Sequence, residues 1–305
     1  MGIFDLHCDT LSLIKNNEKT IEDTEKQLMQ GNVGVQCFAA FVPPNKKQPE
    51  NEKKDFSEQV EAFLRLTGKT KISAVKSSKE IQENIKNNKI SAILTAENIG
   101  FTYGKTEEID ELFNMGVRIA SLTWNDENKL GFPCSDDRNI HLMGLKPLGI
   151  NAVEYMDEIG LTVDVSHLSM GGFYDVSRIC KNPIIASHSA CNKIYSHKRN
   201  LYDSQLRIIG NKGGVVGINF YGRFLNGTDE ARHKDIVNTA KHIANVAGID
   251  AVCLGSDFDG MTQKGDYCSA EAFVLLPEIL NSHFSAEDTE KICFKNAHRI
   301  TTYWV

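Results

Sequence analysis

The sequence predicts a (β/α)8 TIM barrel, on three observations. Eight short runs rich in Val, Ile, Leu and Ala recur along the chain, stretches of helical period separate them, and a polar or metal-capable side chain closes nearly every run. Strands that alternate with helices pair in parallel through right-handed crossovers. An open doubly wound sheet satisfies the same alternation, but no G-x-G-x-x-G turn follows the first strand. The count of eight, and the chemistry gathered at one end of the strands, favour the barrel, whose active sites form on the C-terminal rim.

The first run, "GIFDLH" (2–7), ends at His7, with Asp9 two residues on. Side chains alternate across a strand, so His7 and Asp9 face one way and Cys8 the other, outward toward helices. "VGVQCFAAFV" (33–42) follows, then helical "KKDFSEQVEAFLRLTG" and "SKEIQENIKNN". "ISAILTA" (90–96) carries Glu97 at its end, and the helix "TEEIDELFNMG" leads to "VRIASLTW" (117–124), closed by Trp124 and Asn125. After "GINAVEYMDEIG", "LTVDVSH" (161–167) ends in His167; after "SMGGFYDVSRICKN", "NPIIASH" (182–188) ends in His188. "SQLRIIGNKGG" leads into "GGVVGINFY" (213–221), closed by Asn219 and Tyr221, and "EARHKDIVNTAKHIANVAG" precedes "DAVCLGSD" (250–257), closed by Asp257. Two helical stretches, "SAEAFVLLPEILN" and "SAEDTEKICFKNAHRITTYW", end the chain. No Pro/Ser/Gly-rich linker interrupts this order, so residues 1–305 are expected to form one barrel domain.

Composition narrows the function. A net charge of -6 argues against a surface for nucleic acid, which needs clustered Lys and Arg. The longest apolar runs span only a few residues, too short to cross a membrane, and Asp5 sits where a signal peptide needs its apolar segment. A cytoplasmic protein is expected. Its eight cysteines, scattered without any C-x-x-C pair, read as reduced thiols. The charged stretch "NKKQPENEKKDFSE" (45–58) reads as a solvated loop running into a helix face.

An isolated H-x-D is weak evidence, and company strengthens it. Glu97 ends an apolar strand, where a buried carboxylate needs a cation or donors beside it. His167 and His188 end two successive strands, and Asp257 ends the eighth, beside the first in a closed barrel. Five N/O ligands exceed what one tetrahedral zinc takes, and a carboxylate can bridge two cations. We therefore assign His7, Asp9 and Glu97 to one ion and Glu97, His167 and His188 to a second, with Glu97 bridging. Two such ions generate hydroxide near neutral pH, and Asp257 is free to hold it and shuttle its proton.

"DLHCDT", "TAENIG", "VDVSHLS", "ASHSA", "HKRN", "GINFY" and "GSDFDG", in this order and spacing, resemble the renal or membrane dipeptidase family, a binuclear zinc branch of the amidohydrolase superfamily. The resemblance implies two Zn2+ per chain on His7, Asp9, Glu97, His167 and His188, with Asp257 as acid/base. It also implies that Arg199 holds the carboxylate of a small dipeptide, a task suited to a guanidinium fork. A homodimer and tolerance of a C-terminal D-residue are implied as well. One departure stands out: where renal-type members carry a histidine in "LTH", this chain has Trp124, whose indole N–H can donate but carries no positive charge. Tyr221 and Trp124 are expected to line the substrate pocket. His141, His197, His233, His242, His283 and His298 are expected in structural or surface roles. The leading expectation is a zinc-dependent dipeptidase working through a metal-bridging hydroxide. Its rivals are a related amidohydrolase acting on another amide, an N-acyl amino acid or a lactone, and a metal-binding scaffold without catalysis. An uncommitted Asp257 beside the ligands argues against the scaffold.

Overall fold

A computed structural model describes residues 2–44, 50–262 and 264–304. Eight parallel strands close a barrel: β1 (Ile3–Cys8), β2 (Val33–Phe41), β3 (Ile90–Glu97), β4 (Val117–Ser121), β5 (Thr162–Asp164), β6 (Ile185–Ser189), β7 (Val215–Ile218) and β8 (Val252–Leu254). Their order around the barrel is β2-β1-β8-β7-β6-β5-β4-β3, and β3 returns to β2 over the register Val35↔Ser91 to Phe41↔Glu97. Every pairing is parallel, as the alternation with helices requires.

The lower barrel is apolar. Phe4 and Leu6 of β1 cluster with Val35, Cys37, Ile93, Ile119, Ile185, Val215 and Cys253, one or two residues from nearly every strand. Phe294, Ala297, Ile300 and Trp304 from the C-terminal helices join this cluster and seal it from below, and the Trp304 indole N–H donates to the Thr162 hydroxyl at 2.9 Å. Outward-facing strand residues such as Phe38, Ala40, Val163 and Ile218 pack against the surrounding helices. Cys8 joins that outer cluster, facing away from His7 as the alternation predicts. No disulfide joins any two of the eight cysteines.

Helix starts follow local chemistry. Thr20, Ser77 and Ser169 cap Ile21–Gln30, Ser78–Lys86 and Met170–Ile179 by accepting from the backbone N–H of Asp23, Glu80 and Gly172. Thr106–Met115 ends at Gly116, whose φ of 109° only glycine adopts freely.

The structure corrects several boundaries. The strands end earlier than the apolar runs suggest, so Trp124, Asn125, His167, Asn219, Tyr221 and Asp257 stand on the loops that follow them. His167 and Asp257 have φ of 67° and 65°, a left-handed turn that cannot continue a ladder. Short helices at Thr10–Lys15 and Ile21–Gln30, and a strand at Ile72–Ala74, escape the periodicity reading. That strand pairs with the lower half of β3, beneath the point where β4 begins. Of the charged stretch 45–58, residues 45–49 lie outside the described residues and the rest opens the helix Glu50–Lys69. Among the described residues no helix is long and apolar enough to cross a membrane.

Candidate metal centre and substrate cavity

Two β-bulges aim the histidines. Asp5 stands opposite Gln36 but Cys8 opposite Phe38, so Leu6 and His7 together oppose Cys37. β6 repeats this against β7: Ala186 pairs with Val216 and Ser189 with Ile218, leaving Ser187 and His188 against Gly217. An extra residue breaks the strict alternation and re-aims a side chain. Leu6 therefore packs in the barrel interior while His7 reaches the mouth. The second bulge needs glycine at two nearby positions, Gly217 on β7 and Gly255 just past β8: a Cβ there would lie 2.0 or 1.8 Å from the Ser187 carbonyl oxygen.

The six sequence-predicted residues converge. His7 Nε2 lies 3.6 Å from Asp9 Oδ2, 3.5 Å from Glu97 Oε2 and 3.8 Å from Asp257 Oδ1. Glu97 turns its other oxygen, Oε1, to His167 Nε2 at 3.0 Å and His188 Nε2 at 3.7 Å. One carboxylate thus addresses two donor sets, His7–Asp9–Glu97 and Glu97–His167–His188; His7–His188–Asp257 forms a third overlapping group.

The donor chemistry fits divalent cations. His167 Nδ1 faces the Asn125 amide oxygen at 3.0 Å, an acceptor, so Nδ1 carries the proton and Nε2 keeps its lone pair toward Glu97. His7 Nε2 and Asp9 Oδ1 are buried without a hydrogen-bond partner among the described residues. Lone pairs gathered in a buried site are costly unless a cation meets them. Burial, reinforced by Arg199, pushes His167 down, and burial with the neighbouring His7 pushes His188 well down, so both stay neutral and able to ligate.

Asp257 stands apart. Burial and the adjacent Asp9 carboxylate push it up to about 7. Asn219 donates to its Oδ2 at 2.9 Å while its own Oδ1 accepts from the Tyr221 N–H at 2.7 Å, which turns Asp257 Oδ1 toward His7. Asn219, which the sequence leaves without a role, orients Asp257.

A cavity of about 440 Å³ opens over these groups. Trp124 and Tyr221 line it, joined by Phe41, Phe224 and Met261, which carry no chemical signal in sequence. Phe41 and Trp124 pack with ring centroids 4.7 Å apart. Arg199 is buried in the wall: Nη2 donates to the His188 carbonyl at 3.2 Å, the guanidinium lies 5.5 Å from the Phe224 ring, and Nε has no partner among the described residues. A buried guanidinium with an unpartnered N–H, on a residue that lines a cavity, can receive a carboxylate. His197 stays out of the cavity lining; its Nδ1 accepts from the Arg199 backbone N–H at 3.2 Å. Gly260 was not singled out in sequence, yet a Cβ there would lie 1.9 Å from Asp9 Oδ2.

Three histidines and three carboxylates at the mouth of a (β/α)8 barrel, one carboxylate shared between two donor sets, define a candidate divalent-metal centre. The chain belongs to the membrane dipeptidase family, peptidase family M19, which it matches over residues 1–303. It is 32% identical over 251 residues to an uncharacterized dipeptidase of Schizosaccharomyces pombe, covering 78% of this chain and 60% of that protein. The chain thus spans less than two thirds of the length of that relative. An uncharacterized protein from the pqqA 5' region of Klebsiella pneumoniae is 33% identical over 215 residues, 66% of this chain and 76% of that one. Among solved structures, a metallopeptidase named dipeptidase AC superposes with a TM-score of 0.91 at 21% identity, covering 100% of this chain and 99% of that chain. A Rhodobacter sphaeroides metallopeptidase, liganded with a phosphinate mimic of L-Ala-D-Ala, gives 0.90 at 20% identity with the same coverage. These likenesses establish the barrel fold.

Proposed function

We propose that the chain is a zinc-dependent dipeptidase and that residues 1–305 act as one hydrolase domain. The observation that carries the reading is the pairing of two features in one cavity: convergent N/O donors on its floor and the open donor of Arg199 in its wall. His7, Asp9 and Glu97 would hold one Zn2+, and Glu97, His167 and His188 a second. Bound there, the cations supply Lewis acidity and a water acidified toward neutral pH.

The chain's own groups do the rest. Arg199 binds the free carboxylate of the substrate and fixes the scissile amide over the carboxylate-rich floor. Asp257, raised toward neutrality and held by Asn219, accepts a proton from the attacking water and returns it to the departing amine. Phe41, Trp124, Tyr221 and Phe224 exclude water and contact the two side chains. Trp124 can donate its indole N–H to the developing oxyanion. A clamp that demands a free carboxylate within this small cavity selects dipeptides over longer chains. The mimic of L-Ala-D-Ala on the R. sphaeroides neighbour supports including dipeptides with a C-terminal D-residue.

The test is metal content by elemental analysis on the same sample used to assay dipeptides, N-acyl amino acids and lactones. Near two zinc ions per chain with dipeptide turnover is expected. Metal without dipeptide turnover, under zinc-replete conditions, overturns the peptidase reading and passes the site to the other substrates.

A further inference from the structure

We propose that Asp164 and Ser187 are positioning residues that set which ring nitrogen of His188 carries its proton, and so hold Nε2 ready for the second cation. This rests on the metal reading above and adds to it two residues outside the ligand set.

The hydrogen-bond polarity follows from acceptors and donors that have no choice. Asp164, buried at the end of β5, receives two backbone N–H groups on Oδ1, from Ser166 and Ser187, each at 2.9 Å. Its Oδ2 lies 2.5 Å from the Ser187 hydroxyl, which must donate, since a carboxylate can only accept. The Ser166 hydroxyl, 3.3 Å away, is a far weaker competitor for that proton. With its one hydrogen committed, Ser187 Oγ offers only lone pairs to His188 Nδ1 at 2.8 Å. Nδ1 therefore carries the proton, and Nε2 keeps its lone pair toward Glu97 and His167. The β6 bulge makes this possible, because it brings Ser187 and its neighbour His188 to the same interior. Outer partners of this kind orient ligating imidazoles and raise their basicity. His167 has a different partner on Nδ1, the neutral Asn125 amide at the cavity wall.

The relay predicts an inversion. In Asp164→Asn the two fixed backbone N–H groups keep the amide oxygen on their side, so the amide NH2 faces Ser187 and donates to it. Ser187 must then donate to His188 Nδ1, which moves the ring proton to Nε2 and blocks ligation. Ser187→Ala merely removes the bias and should cost less. Asp164→Asn combined with Ser187→Ala cuts the wire, so the double variant should recover to the level of Ser187→Ala.

Zn2+ affinity of the full-length chain, measured by competition with a chelator, reads the effect: Asp164→Asn is expected to weaken the second ion 10–100-fold, more than Ser187→Ala, with recovery in the double variant. Equal losses in the two single variants, or a double variant no better than Asp164→Asn, would overturn the proposal. Imidazole 15N shifts of the metal-free chain give an independent reading, with His188 protonated on Nδ1 in the wild type. Protonation on Nε2 there also overturns it, even if Asp164→Asn fails to fold. A wild-type chain that binds no Zn2+ would instead sink the metal reading, while the 15N shifts still decide the relay.

Discussion

Gly260→Ala tests the site by adding a single methyl group. Gly260 is solvent-exposed and has no left-handed φ, so alanine brings no backbone strain. Its Cβ would lie 1.9 Å from Asp9 Oδ2 and 3.0 Å from Asp257 Oδ1, where ordinary contact begins at 3.4 Å. The Asp9 carboxylate must retreat by about 1.5 Å, or the loop must retreat and carry Asp257 with it. A misplacement of ~1 Å at a reacting centre costs on the order of 10²-fold in rate. We expect kcat/KM for a dipeptide to fall about 100-fold, which is about 2.7 kcal/mol of transition-state stabilisation. The assay pairs dipeptide turnover under zinc-replete conditions with zinc per chain and thermal unfolding of the metal-free protein, which should barely move. A folded variant that keeps its zinc and turns over within about threefold of wild type would refute the placement of Asp9 at the reaction centre.

Two further outcomes follow from the same geometry. Asp257→Asn should leave zinc stoichiometry intact, because Asp257 belongs to neither of the two Glu97-sharing donor sets, yet lower turnover by roughly 10²–10⁴-fold; unchanged turnover would show that another group moves the proton. Arg199→Met should raise KM for a dipeptide about 30-fold, from ~2 kcal/mol for a charged hydrogen bond, and erase the wild-type preference for a free carboxylate over a C-terminal amide. A wild-type enzyme that hydrolyses both equally well would remove the carboxylate role from Arg199.

Much of the barrel, and the residues of its centre, are legible in the sequence because the relevant signals are local. Apolar runs followed by His or Asp survive any error in strand length, and an i, i+2 pair such as His7 and Asp9 depends on a single step of alternation. What stays hidden is longer in range. Nothing local announces that Leu6 and His7 share a face, since the bulge is a relation between β1 and β2. Arg199 is reached only through resemblance: it stands on a loop beyond β6, and its open Nε is visible only once Phe224 and the His188 carbonyl are placed around it. Phe41, at the end of β2, and Phe224, on the short helix Gly222–Leu225, give no signal in sequence, because an aromatic has the same composition whether it faces helices or a cavity. Gly260 and the glycine pair at 217 and 255 matter for what they omit, and a missing Cβ has no signal until its neighbour's position is known.

The same physics explains why the chemistry sits where it does. Below, the barrel is filled by Leu6, Cys37, Ile93 and their neighbours, with Phe294 and Trp304 packed against them. Above, regular pairing fails strand by strand: β1 and β6 bulge, and the chain turns left-handed at His167 and Asp257. Each left-handed non-glycine residue costs on the order of 1–3 kcal/mol, and such strain persists only where the surroundings over-determine it. Here they do. The His167 carbonyl accepts from Cys134 at 2.7 Å, and the Asp257 N–H donates to the His7 carbonyl at 3.1 Å. The second of these ties the left-handed turn of Asp257 to the bulged end of β1, so Asp257 and the His7–Asp9 pair cannot drift apart independently. A sealed apolar base that resists deformation lets the rim hold these distortions, and the distortions bring His7, Asp9, His167 and His188, from the ends of β1, β5 and β6, within reach of Glu97.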